Sequence, residues 1–184
     1  MDFLSTLWMP ILLSAVFVFI VSSIIHMVLG YHASDHKKLS NEDQVMDTMR
    51  AHNIPPGHYA MPKPGSMKEM STPAFKAKME RGPVMFLNVR GPGMGMGKAL
   101  VQWFIYCIVV SVFAAYIGSH TINPGADYLT VDRVVGCAAF MGYGLGLVQD
   151  AIWGSKSWSA TGKSLFDALI YGFVTGGTFG WLWP

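Results

Sequence analysis

Residues 7–29 read LWMPILLSAVFVFIVSSIIHMVL, a run without a single Lys, Arg, Asp or Glu. A membrane-crossing helix needs about 20 mostly apolar residues at about 1.5 Å of rise each, and this run supplies that length. Three further runs of the same character follow at residues 99–117, 134–153 and 164–183. The pattern predicts an all-α, polytopic membrane protein, a four-transmembrane-helix bundle forming a single integral membrane domain over residues 1–184. With 52% hydrophobic and only 13% charged residues, the chain lacks the charge needed to clothe a soluble domain. Asp2 and no cation precede the first run, and no Ala-x-Ala cleavage site follows it, so it reads as a retained anchor rather than a secretory signal.

Ten of the thirteen Lys and Arg residues fall between the first and second spans, Lys156 and Lys163 fall between the third and fourth, and only Arg133 lies on the other side. Cations beside span ends resist translocation. Both termini are therefore expected outside, and a long loop of about residues 31–98 in the cytoplasm. Aromatic belts fit the same frame, with Trp8, Tyr116, Tyr128, Trp181 and Trp183 at the outer interface and Tyr31, Trp103, Trp153 and Trp158 at the inner one.

The loop is expected to carry short amphipathic helices. Ser40 is read as the cap of one running to His52, with Asp43 as capping-box partner, Pro55 as the stop and Val45, Met46 and Met49 as its apolar stripe. Thr72 is read as the cap of a second over residues 73–81, with Pro73 at its first position, Gly82-Pro83 as terminator and Phe75 and Met79 on one face. Residues 84–89 suit an extended stretch, and residues 91–97 a flexible or tight turn.

The string GPGMGMGK at residues 91–98 resembles a phosphate loop only superficially. A Walker loop needs Gly where Pro92 stands and Ser or Thr where Ala99 stands, and the dinucleotide pattern needs its third Gly at Met96. No nucleotide or nucleic-acid partner is expected.

Small residues inside the spans say more. Ala138, Gly142 and Gly146 recur at four-residue spacing in the third span and lead to Asp150, while Ala168, Gly172, Gly176 and Gly180 form a ridge along the fourth. Because lipid offers no hydrophobic drive for association, such ridges mark faces where helix backbones approach closely. They predict a tight hairpin of spans three and four, or an oligomer interface. Cys107, Ser111 and Ala115 mark the packing face of the second span.

Counting inward from the expected cytoplasmic ends, His26, Gln102, Asp150 and Asp167 each lie about one turn inside a span, with Gln149 at the same level. Ionisable groups in spans face the bundle interior and pair, since exposure to lipid costs a few kcal/mol. The layer can bind a cation, relay protons or hold a polar headgroup; equally, it can lock the bundle's rim, with Lys163 pairing Asp167 and Lys156 or Lys163 reaching Asp150. Asp132 is expected to favour the start of the third helix through its dipole. His26, His32 and His36 form a partial metal set without a fourth ligand at diagnostic spacing, and Met61, Met67, Met70, Met94 and Met96 offer thioethers for Cu(I). Neither pattern predicts a metal, and no cofactor is expected. Cys107 and Cys137 sit at depths more than about 10 Å apart, too far for a disulfide.

The strings PGHYAMP (56–62), GMGMGKA (93–99), GADYL (125–129), SKSWS (155–159) and the ending GWLWP (180–184) resemble a family of small four-span bacterial inner-membrane proteins of unknown function. The resemblance implies a bacterial inner membrane and the same layout, and it carries no catalytic residues. With no nucleophile, redox or nucleotide motif in view, the leading expectation is a structural or accessory membrane protein, packing on itself as a homo-oligomer or on a partner complex. The main rival is a small transporter or channel component using the polar layer, and the third is a metal-binding membrane protein.

Overall fold

The structure is a computed structural model that describes residues 2–91, 93 and 95–184; Pro92 and the candidate copper ligand Met94 lie outside the described residues. In chain order the elements are α1 (Asp2–Thr6), α2 (Trp8–Ile24) continued by a π-helical turn at Ile25–Leu29, and a 3-10 turn at Tyr31–Asp35. There follow α3 (Glu42–Ala51), β1 (Gly57–Met61), α4 (Met67–Met70), α5 (Pro73–Arg81) and β2 (Met85–Val89). The chain closes with α6 (Met96–Thr121), α7 (Tyr128–Tyr143), a 3-10 turn at Leu145–Leu147, α8 (Val148–Trp153) and α9 (Trp158–Leu182).

Four stretches, Trp8–Leu29, Met96–Thr121, Tyr128–Trp153 and Trp158–Leu182, are long and apolar enough to cross a membrane. They support a mostly helical, multi-pass membrane protein. The second and third stretches begin earlier than their apolar cores, because helix geometry extends through Met96–Lys98 and through the turn that Asp127 caps. Asp127 accepts from the Thr130 backbone N–H at 3.1 Å and from its hydroxyl at 2.6 Å, so it does the work expected of Asp132. The Thr130 hydroxyl and N–H hold the Asp127 carboxyl below its usual range.

The helical unit comprises Met1–Lys37 with Gly95–Pro184. Its tightest contact joins α7 to α9, where the ridge on α9 has the expected residues and its partner face on α7 does not. A Cβ at Gly172 would stand 2.9 Å from the Gly136 carbonyl, one at Gly176 2.5 Å from the Asp132 carbonyl, and one at Gly180 2.8 Å from the Tyr128 ring. Facing residues on α7 are thus Tyr128, Asp132 and Gly136, and Gly144 beyond its end approaches Ala168. Gly142 instead faces Val110 of α6, Ala138 is only partly buried, and Gly146 has nothing within 4 Å. Within α7 the period is regular, but the four-residue row that meets α9 is Tyr128, Asp132, Gly136 and Phe140, two positions away from Ala138 and Gly142; beyond Tyr143 the 3-10 turn breaks the period and takes Gly146 out of the row as well.

Cys107, Ser111 and Ala115 are fully buried, as expected for the packing face of α6, and the Ser111 and Ser14 hydroxyls meet at 3.0 Å to tie α6 to α2. Val18, Val131, Val135, Ala139 and Phe179 complete the centre of the core. Cys107 and Cys137 are both free thiols.

The second unit, Lys38–Met94, holds the soluble-type elements. The expected extended stretch is β2, and it pairs antiparallel with β1, a strand the sequence reading did not anticipate; Gly57 stands opposite Val89 and Met61 opposite Met85. α5 forms as expected, with the Thr72 hydroxyl accepting from the Phe75 N–H, Pro73 at its start and Gly82 at φ +58° ending it. Phe75 is buried. Ser40 is not a cap: α3 starts at Glu42 after Asn41, with no side-chain cap bond, so the predicted Ser40–Asp43 box does not form.

Candidate functional site

The site lies at the end of the helical unit where α2 finishes and α9 begins. After the π-helical turn, Gly30 takes φ +62°, a left-handed conformation that glycine adopts without steric cost. The chain reverses there, and the 3-10 turn Tyr31–Asp35 runs back against α9. That reversal places Tyr31, His32 and Asp35 beside Asp167, a carboxylate only 3% exposed.

Each polar side chain in this turn has a specific partner. The Tyr31 hydroxyl donates to Asp167 Oδ1, and His32 Nε2 lies 2.7 Å from Asp167 Oδ2. On its other side His32 Nδ1 lies 2.6 Å from Asp35 Oδ2. Lys163 donates to Asp35 Oδ1 at 2.7 Å, to the Tyr31 carbonyl at 2.7 Å and to the Ser34 hydroxyl at 2.8 Å. The Lys163 ammonium, and after it His32, hold the Asp35 carboxyl below its usual range. The His26 ring stacks on His32, centroids 4.7 Å apart and nearly parallel, with its Nδ1 2.9 Å from the Ser22 carbonyl.

Beside this cluster the spans line a half-open cavity of about 610 Å³. His26 and Asp167 form part of its wall, and Trp103, Tyr106, Tyr143 and Tyr171 form most of its aromatic lining. These four rings pack against one another with centroids 5.5–6.0 Å apart. Three have settled polar atoms: Trp103 donates to Ser22 Oγ at 2.8 Å, Tyr106 to the Gly142 carbonyl at 2.6 Å, and Tyr143 makes a long 3.5 Å contact with the Cys107 carbonyl. The Tyr171 hydroxyl has no partner among the described residues, although the residue is only 4% exposed. A buried hydroxyl left unpaired costs about 1–3 kcal/mol.

Of the expected polar layer, His26 and Asp167 come together, while Gln102, Gln149 and Asp150 are exposed. Asp150 was expected to face protein because it ends the third-span ridge; the same 3-10 turn that breaks the ridge turns it outward. Its carboxylate has no partner among the described residues, and only its carbonyl is used, by the backbone N–H groups of Gly154 and Lys156. The predicted Lys163–Asp167 pair is replaced by Lys163–Asp35. Of the three histidines noted for metal, His26 and His32 meet Asp167, and His36 is exposed beyond the turn. Met61, Met67, Met70 and Met96 are all exposed.

Sequence reasoning missed Asp35 and the aromatic wall, and it assigned Tyr31 and Trp103 to interface anchoring. The available signal was Gly30 followed at once by the polar YHASD stretch, which marks a reversal rather than an exit from the membrane. No family model, curated protein or solved structure matches this chain.

Proposed function

We propose that this protein is a membrane-embedded binding protein for a small amphipathic molecule, held in the aromatic cavity with its apolar body among Trp103, Tyr106 and Leu100 and its polar end toward Asp167 and His26. The observation that carries the reading is the cavity itself: about 610 Å³, walled by four aromatic rings and reaching His26 and Asp167, it has the size and mixed lining of a small-ligand site. The aromatic rings suit an apolar or cationic body, since their faces attract both. By the cation bias, this end of the bundle faces the cytoplasm. Binding of this kind serves carriage or sensing of the ligand, which joins the reading to the transporter class.

The test is native mass measurement on protein extracted in lipid nanodiscs. The expected result is a discrete small-molecule mass retained by the wild type, weakened in Asp167→Asn and lost in Trp103→Ala. Equal retention across the three proteins, or only heterogeneous bulk lipid on the wild type, overturns the reading.

An accessory role in a larger complex is the second reading, and the unit at Lys38–Met94 favours it. A two-stranded sheet is at best marginal alone. Here Phe86 of β2 is 63% exposed and Val84 and Met67 are exposed as well, so the unit offers apolar side chains and open strand edges to a partner chain. Co-purification of a stoichiometric partner that is lost in Phe86→Ser checks this.

A further inference from the structure

One ligand-capable atom from each of His26, His32 and Asp167 lies within 4.8 Å of the other two. The hydrogen bonds around them decide which atoms are free. The Ser22 carbonyl only accepts, so His26 Nδ1 carries the proton that faces it and Nε2 keeps the lone pair in the neutral ring. His32 Nδ1 lies 2.6 Å from Asp35 Oδ2, and the other oxygen of Asp35 accepts from Lys163, so Nδ1 is engaged there and Nε2 is the atom that faces Asp167. Without a cation, the 2.7 Å approach of His32 Nε2 to Asp167 Oδ2 requires a shared proton. A metal ion replaces that proton.

We propose that His26 Nε2, His32 Nε2 and the Asp167 carboxylate bind a divalent transition-metal ion of the zinc class, with an open coordination position toward the cavity. The donor chemistry fits, since two imidazoles and one carboxylate are a zinc set with room for a fourth ligand. The outer shell fits too. Histidine ligands characteristically donate their other N–H to a carboxylate or backbone carbonyl, and here Asp35 and the Ser22 carbonyl take those roles, while Tyr31 holds the second oxygen of Asp167. Lys163 in turn fixes Asp35 and the backbone of the turn. Both His26 and Asp167 line the cavity, so the open position faces it.

Bonds of about 2.0–2.2 Å set ligand atoms about 3.3 Å apart in a tetrahedral site. His32 and Asp167 must therefore spread slightly, and His26 must tilt out of its stack toward them. His26 has that freedom: it is exposed and sits on the π-helical turn, a local irregularity that recurs at functional sites. The proposal is independent of any organic ligand in the cavity.

The experiment is titration of chelator-stripped, tag-free protein in detergent with Zn(II), read by competition with a chromophoric chelator, and with Co(II), read by its visible d–d absorption. The expected result is one equivalent per chain, loss of binding in His26→Ala and Asp167→Asn, and an affinity 10–100-fold weaker in Asp35→Asn. His36→Ala, four residues from His32 and outside the cluster, is expected to bind like the wild type. His26→Ala is the decisive variant because an exposed side chain is removed without threatening the fold. No stoichiometric binding, or a loss that follows His36→Ala as much as His26→Ala, overturns the proposal. Such a failure leaves the cavity reading standing, because that reading is measured by retained organic mass.

Discussion

Replacing Gly176 with Val tests the packing that holds α7 against α9. The added Cβ would stand 2.5 Å from the Asp132 carbonyl oxygen, 2.6 Å from Asp132 Oδ1 and 2.9 Å from the Gly136 Cα. Two of these are backbone atoms of the facing helix, so no side-chain rotation relieves them. Ordinary van der Waals contact begins at 3.4 Å. The helices must separate locally by about 0.9 Å to reach it, and a gap of 0.5–1 Å forfeits about a quarter to a half of the dispersion energy of each contact it opens. Overpacking of this kind costs about 1–3 kcal/mol, and the two γ-carbons place Val at the upper end. Val regains only a few tenths of a kcal/mol in helix propensity over Gly, so the net expectation is about 2–3 kcal/mol. Reversible unfolding in mixed detergent micelles, followed by circular dichroism, reads the difference. Gly146→Val is the matched control, because Gly146 belongs to the ridge expected from the sequence yet has open space around it. Its change should stay within about 0.5 kcal/mol. Wild-type stability in Gly176→Val, or an equal loss in both variants, would refute the α7–α9 register.

Asp167→Asn should lower stability by about 1–3 kcal/mol in the same assay by leaving His32 and Tyr31 with a poorer partner, whereas Asp150→Asn should stay within about 0.5 kcal/mol. Ser157→Ala removes the cap that accepts from the Ala160 N–H at 3.1 Å, with an expected cost of about 1 kcal/mol by thermal unfolding in detergent. Because the folded Asp35 carboxyl titrates below its ordinary value of 3.8, its contribution is fully present above that pH and is lost as pH falls through the lowered folded value. An acid melting series should therefore show a stability drop below about pH 4 that Lys163→Met diminishes.

The four membrane-length helices were legible because apolar length is a strong and local signal, and so was the α9 ridge, whose period is unbroken from Ala168 to Gly180. The matching face on α7 lies two positions from the expected one because it is carried by Tyr128, Asp132 and Gly136, of which only Gly136 is a small residue, and the short 3-10 turn that displaces Gly146 and Asp150 leaves no mark in a small-residue pattern. α5 was legible down to its cap and stop, since Thr72, Pro73 and Gly82 act on their immediate neighbours. β1 was not, because its pairing with β2 joins residues far apart in sequence. The site shows the same division. His26 and Asp167 stood out as ionisable groups in apolar runs, but Asp35 and Lys163 meet only because Gly30 reverses the chain, a rotation that depth counting along straight helices does not contain.

The site's two halves are synthesised far apart in time. His32 and Asp167 are 135 residues apart, and at about 5–20 residues per second the ribosome takes about 7–27 s to pass from one to the other. During that interval the first span has already entered the bilayer with His32, Asp35 and the reversed turn at its edge, and neither Asp167 nor Lys163 exists to receive them. The first helix therefore waits in a provisional arrangement, and insertion of α9 is the event that closes the cluster. A chain that fails to seat α9 is left with an incomplete cluster and with the Tyr128, Asp132 and Gly136 face of α7 uncovered.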